Sequence, residues 1–157
     1  MMPIKMLKVM LLIGLWILFS ACSTSKQPGF SAQAQNKEES ESELGVRYLL
    51  GRGVLKDEAK AFYYFSEAAK EDDPFAQNEL AYLYASGKGT SSDPERAFYW
   101  YQKAADHDLA SAQYNLGIMY LAGFGAPSNR ALALKWLQKS AAHGFLPARS
   151  MLARSSF

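Results

Sequence analysis

The chain has 157 residues, 49% of them hydrophobic and 20% charged, with a formal net charge of +2. Setting aside Lys5 and Lys8, which sit in an acid-free amino-terminal stretch, Lys+Arg falls from 17 to 15 and equals the 15 Asp+Glu. The length allows one modest domain, and the neutral remainder lacks the basic footprint that nucleic-acid binding requires.

Behind Lys5 and Lys8, Val9 to Phe19 form an uncharged, mostly apolar run of eleven residues. A membrane-crossing helix needs roughly 20 residues, so this run has the length of a signal-peptide core, and residues 1–21 read as a targeting segment. Ser20-Ala21-Cys22 follow, ending on the chain's only cysteine. The stretch Phe19-Ser20-Ala21-Cys22 resembles the lipobox of bacterial lipoproteins, with Phe19 where that family usually carries leucine. The resemblance implies cleavage before Cys22, attachment of diacylglycerol to its sulfur, and a lipid membrane as one partner of the chain. Ser23 rather than aspartate after the cysteine implies the outer membrane of a cell envelope, facing the periplasm. Two or three acyl chains anchor a protein where one alone binds marginally, and a lone cysteine leaves the domain to fold without an internal disulfide.

Residues 22–42 form the next segment. Ser, Gln, Lys, Glu, Ala and Asn dominate it, and Phe30 is its single large apolar residue. Such a stretch cannot bury enough surface to offset its ordering entropy. It is expected to be a disordered tether with a reach of about 25 Å.

From residue 43 to 157 the sequence repeats at an offset of 36. Leu44, Leu80 and Leu116 align, as do Tyr48, Tyr84 and Tyr120. Gly51-x-Gly53, Gly87-x-Gly89 and Gly123-x-Gly125 follow in step, then Asp57, Asp93 and Asn129, then Ala61, Ala97 and Ala133. A fixed period of this size is the mark of a solenoid. Each unit predicts two helices. The first, over 76–86 in the middle unit, sets Ala76, Leu80 and Tyr84 on one face and stops at a glycine able to adopt the left-handed conformation. The second starts at Asp57, Asp93 or Asn129 as N-cap, with Pro94 at a favoured first position, and carries an apolar stripe of Ala97, Trp100, Tyr101, Ala104 and Ala105. Gly144 ends the last such helix, and Asp72 and Asp108 hold that place earlier, because aspartate tolerates a left-handed turn.

The middle unit, Leu80-Ala81-x-x-Tyr84-x-x-Gly87-x-Gly89 then Ala97-x-x-Trp100-x-x-Lys103-Ala104-Ala105, resembles the Sel1-like repeat, a relative of the tetratricopeptide repeat. The third unit carries the same signature at Leu116, Gly117, Tyr120, Gly123, Gly125, Trp136, Lys139 and Ala141; the first departs at Tyr64 and Glu67. The resemblance implies an all-α fold, an α-solenoid of antiparallel helix pairs with repeats at about 43–75, 76–111 and 112–147 and a cap at 148–157. In that cap Arg149, Ser150 and Arg154 are expected to face water, as a terminal repeat requires.

Catalytic chemistry finds little support. The Gly-x-Gly elements follow helices, lack a Lys-Ser/Thr partner and recur in every unit, so they read as helix terminators rather than phosphate loops. His107 and His143, the only histidines, sit at equivalent helix ends where a helix C-terminus favours them, and no metal or other cofactor is implied. Glu67, Glu71 and Glu79 read as solvated. No nucleophile–base pair is recoverable, since Cys22 is taken by the anchor.

Binding reads better. In tetratricopeptide-like proteins the first helices line a concave groove, and by position this face would hold Val46, Leu49, Asn78, Tyr82, Tyr114, Ile118 and Leu121. Such a groove suits a peptide or helix of another protein. The expectation is a non-catalytic interaction scaffold at the bacterial envelope, its domain monomeric, with a toxin-neutralising immunity role or a peptidoglycan-associated accessory role as alternatives.

Overall fold

The computed structural model describes residues 39–154; the targeting segment, Cys22 and most of the tether read from the sequence lie outside the described residues. Seven helices make up this part: α1 (Glu41–Leu50), α2 (Glu58–Lys70), α3 (Pro74–Ser86), α4 (Pro94–Asp106), α5 (Ala110–Ala122), α6 (Arg130–Ala142) and α7 (Leu146–Arg154). Each packs chiefly on the helix before it and the helix after it. The result is an all-α solenoid of three helix pairs closed by a half unit.

The starts of the helices follow from side-chain caps. Asp57, Asp93 and Asn129 accept from the backbone N–H groups of Lys60, Arg96 and Leu132, each at 3.0 Å, which satisfies donors that the first turn leaves open. Two boundaries differ from the sequence reading. The tether drawn to residue 42 ends earlier, because Ser40 and Glu43 form a reciprocal capping box that starts α1 at Glu41. The first helix of the middle unit begins at Pro74 rather than residue 76, since Asp73 accepts from Phe75 and Ala76 N–H and Pro74 fills the first turn.

Helix ends are of two kinds. After α1, α3 and α5, Gly51, Gly87 and Gly123 adopt φ of 70°, 70° and 67°, the left-handed geometry that closes a helix. After α2, α4 and α6 the left-handed residue is Asp72 (φ 57°), Asp108 (φ 60°) or Gly144 (φ 86°). The second glycine of the middle and last of these loops has another task. A Cβ on Gly89 would lie 2.0 Å from the Glu58 carbonyl oxygen, and one on Gly125 would lie 2.1 Å from that of Pro94. Each of these loops therefore rests directly on the first turn of the second helix in the preceding unit.

The core is a ladder of alanines interleaved with large apolar residues. Ala61, Ala97 and Ala133 are fully buried, and Phe65, Tyr101 and Leu137 occupy one equivalent position. Small residues let helices approach closely enough for the aromatic rings to interdigitate. Phe62 meets the Tyr84 ring edge-on at 5.3 Å, and Phe98 meets Tyr120 at 5.2 Å. These recurring contacts couple each unit to the next.

Candidate functional site

Two surfaces of the solenoid carry polar groups in quantity, and they are built differently. The first is the row of corners where a second helix turns into the next first helix. At each, a buried glutamine closes the turn: Gln77 Nε2 donates to Ala69 O (3.4 Å) and Asp72 Oδ1 (3.3 Å), and Gln113 Nε2 donates to Ala105 O (3.2 Å) and Asp108 Oδ1 (3.2 Å). Lys103 then pairs with Asp72 at 3.8 Å and Lys139 with Asp108 at 2.9 Å. Arg149, expected to face water, is exposed but stands one period after Gln113, and its Nε donates to Ala141 O at 3.0 Å. His143 Nδ1 meets Gln113 Oε1 at 3.0 Å, while His107 caps α4 through its backbone N–H. Lys139 holds the Asp108 carboxyl below the usual carboxylate range, first by hydrogen bond and then by charge. All of this is architecture.

The second surface is the face of the first helices α1, α3 and α5, where a groove was expected. Val46 and Leu49 are half-buried and pack against the core, so their apolar area is partly spent on folding. Asn78 is only 8% exposed; its Oδ1 accepts from Asn115 Nδ2 at 3.3 Å, tying α3 to α5. That bond gives Asn78 a structural role. Tyr82 is 38% exposed, with Lys88 Nζ bonded to its hydroxyl and 4.8 Å from its ring centroid. Tyr114 is half-buried and leans on Phe145 at 5.4 Å; Ile118 and Leu121 are half-buried.

Two further residues belong to this face. Glu79, read from sequence as a solvated carboxylate, is half-buried beside Asn78, whose Nδ2 donates to Glu79 Oε1 at 2.9 Å. Burial pushes its carboxyl up, with the Asn78 hydrogen bond opposing. Tyr101 of α4 is 5% exposed, and its phenol is pushed above its ordinary value by burial first, then by the Glu79 and Tyr82 groups. The signal in the sequence was a hydroxyl-bearing residue at a position where the other units hold Phe65 and Leu137. Among the described residues no group of His, Cys, Asp or Glu could hold a metal ion, and no helix is long and apolar enough to cross a membrane.

The family model of the Sel1 repeat matches residues 39–73, 74–109 and 110–145. Each matched unit ends two residues before the boundary drawn from the sequence. Among solved structures, a Sel1 repeat protein from Oxalobacter formigenes is 36% identical with a TM-score of 0.67, covering 73% of this chain and 86% of that one. A protective antigen present in uropathogenic Escherichia coli strains, displaying an SLR fold, is 32% identical with a TM-score of 0.70 over 71% of this chain. This chain spans 24% of the length of that antigen. Helicobacter pylori cysteine rich protein B is 25% identical with a TM-score of 0.61, covering 66% of this chain and 77% of its own. No curated protein matches the chain.

Proposed function

Since this chain belongs to the Sel1 repeat family, whose members are generally non-catalytic protein-interaction scaffolds, we propose that it is an adaptor of the bacterial cell envelope, held there by acylated Cys22 and capturing a segment of another protein on its first-helix face. The observation that carries this reading is the division between its two polar surfaces. Apart from Gln77 Oε1, the corner groups bond one another, whereas Tyr82, Tyr114, Ile118 and Leu121 remain partly exposed on neighbouring helices. Amphipathic side chains fixed on a rigid frame bind with little loss of conformational entropy. The lipobox-like stretch ending at Cys22 supports the lipid anchor, and Ser23 after it supports the outer membrane, periplasmic side, as the location.

Two experiments test the two halves. Affinity capture from envelope extracts with the full chain identifies the partner, and a Tyr82→Ala, Tyr114→Ala double variant should lose it while keeping its helical circular-dichroism signal. An unchanged capture by the double variant rejects this face as the docking surface. Separately, Cys22→Ser should move the chain from the membrane fraction to the soluble fraction; a variant that stays membrane-bound after signal processing rejects the anchor.

A further inference from the structure

The middle unit holds a set of groups on the first-helix face that the other two lack. Where it has Glu79, Tyr82 and Tyr101, the first unit has Glu43, Val46 and Phe65, and the third has Asn115, Ile118 and Leu137. Glu79 is half-buried, and the Asn78 amide is its hydrogen-bond partner; no described cation forms an ion pair with it. A carboxylate withdrawn from water without a cation is costly, and the cost is removed when a cation arrives.

Tyr101 supplies an independent observation. It is 95% withdrawn from solvent and its hydroxyl has no hydrogen-bond partner among the described residues. Among the described residues the one fully buried side-chain polar atom without a partner is Gln77 Oε1, so the Tyr101 hydroxyl is not sealed in the core. Tyr101 lies on α4, which packs against the α3 helix that carries Glu79 and Tyr82 one turn apart, and both groups act on its phenol electrostatically. Tyr82 already shows what its ring accepts, since Lys88 Nζ sits 4.8 Å from the centroid. A carboxylate, an open phenol and a cation-accepting ring are complementary to one kind of side chain.

We propose that Glu79, Tyr82 and Tyr101 form the seat for a basic side chain, arginine or lysine, of the segment that docks on this face. The inference rests on the reading of that face as a docking surface and names its chemistry. The seat occurs once in the three units, so it fixes the register of the bound segment. An acidic side chain is repelled by Glu79, and a neutral one leaves the carboxylate unpaired, so the seat discriminates by charge.

The test uses the full chain in detergent micelles with isotope-labelled tyrosines, titrated by NMR with Nα-acetyl-arginine amide and with its neutral isostere, Nα-acetyl-citrulline amide. The arginine probe is expected to shift the Tyr82 and Tyr101 signals saturably, and the citrulline probe is expected to leave them in place. Glu79→Gln should weaken the arginine probe by on the order of tenfold, and Tyr101→Phe by a few-fold, with both variants folded. Equal response to the two probes, or unchanged arginine binding in Glu79→Gln, overturns the proposal. The two failures are distinguishable. Loss of capture in the Tyr82→Ala, Tyr114→Ala pair with capture intact in Glu79→Gln sinks the seat and leaves the docking face; unchanged capture in the pair sinks the docking face and the seat with it, since Tyr82 belongs to both.

Discussion

The corners and the first-helix face are made from the same helices, yet they obey opposite rules. At the corners, the glutamine amide bonds repeat within a few tenths of an ångström: Gln77 and Gln113 bond the carbonyls of Ala69 and Ala105 at 3.4 and 3.2 Å, and the aspartates that receive them share a φ near 60°. On the face, equivalent positions hold Ser42, Asn78 and Tyr114, or Glu43, Glu79 and Asn115. Recurrence marks groups whose partners lie inside the solenoid. Divergence marks groups whose partners lie outside it or that adjust one joint. The contrast separates support from recognition without any bound ligand in view.

Breaking the recurring set should be the more damaging change. Removal of residues 147–157 takes away the half unit that buries Ala148 and closes α6 through Arg149. The truncated chain is expected to aggregate, seen as high-mass material in size-exclusion chromatography, and a soluble cooperative monomer would contradict the role of α7. Gly89→Ala should come next. It places a Cβ against the Glu58 carbonyl at a left-handed φ of 69°, at a cost on the order of 4 kcal/mol by urea denaturation. Gly53→Ala, whose added carbon meets only the tip of Arg47 at 3.9 Å, should cost about 1 kcal/mol. Equal losses would show that the loops do not rest on the preceding unit.

Smaller effects probe single bonds. Gln113→Ala unseats the corner between the second and third units and should cost about 2 kcal/mol, whereas Gln138→Ala on an exposed helix surface should stay within about 0.5 kcal/mol. The smallest effect should have the opposite sign. Burial raises the Glu79 carboxyl above its ordinary 4.5, so the folded chain holds that proton more tightly than the unfolded chain. Below pH 4.5 both states are protonated and Glu79 carries no penalty; as pH rises through the raised value, stability is lost. Glu79→Gln should therefore raise the melting temperature at pH 7 and leave it unchanged under acid conditions. A variant less stable at both pH values would show that the carboxylate is satisfied within the fold.

Much of the architecture was legible because it recurs. The left-handed aspartates at 72 and 108 could be read from the glycine at 144, one period later, and the helix-ending glycines from one another. Asp73-Pro74 was missed although Asp93-Pro94 was read correctly, because α5 begins at Ala110 with Leu109 before it and no side-chain cap. A start signal present in one unit alone carries no periodic support. The same reason hid Glu79 and Tyr101. Their neighbours come from α3, α4 and the adjoining first helix, and a linear pattern reports which residues share a helix face but not which groups a second helix brings beside it. Three of the seven expected groove residues, Val46, Leu49 and Asn78, were assigned by position and are engaged in packing or inter-helix bonding, which exposure on a helix wheel does not reveal.

The loop glycines that rest on the preceding unit also set how such a protein changes length. Gly89 on Glu58 and Gly125 on Pro94 are contacts between neighbours, and the corner bonds also join only adjoining helices. A duplicated stretch inserted at a corner would find its support already present on both sides, and no distant residue would need to change with it. Chain length becomes a free variable of the architecture, while the number of seats on the first-helix face is set by where substitutions fall afterwards. A chain that covers 24% of a longer relative at 32% identity fits that arithmetic.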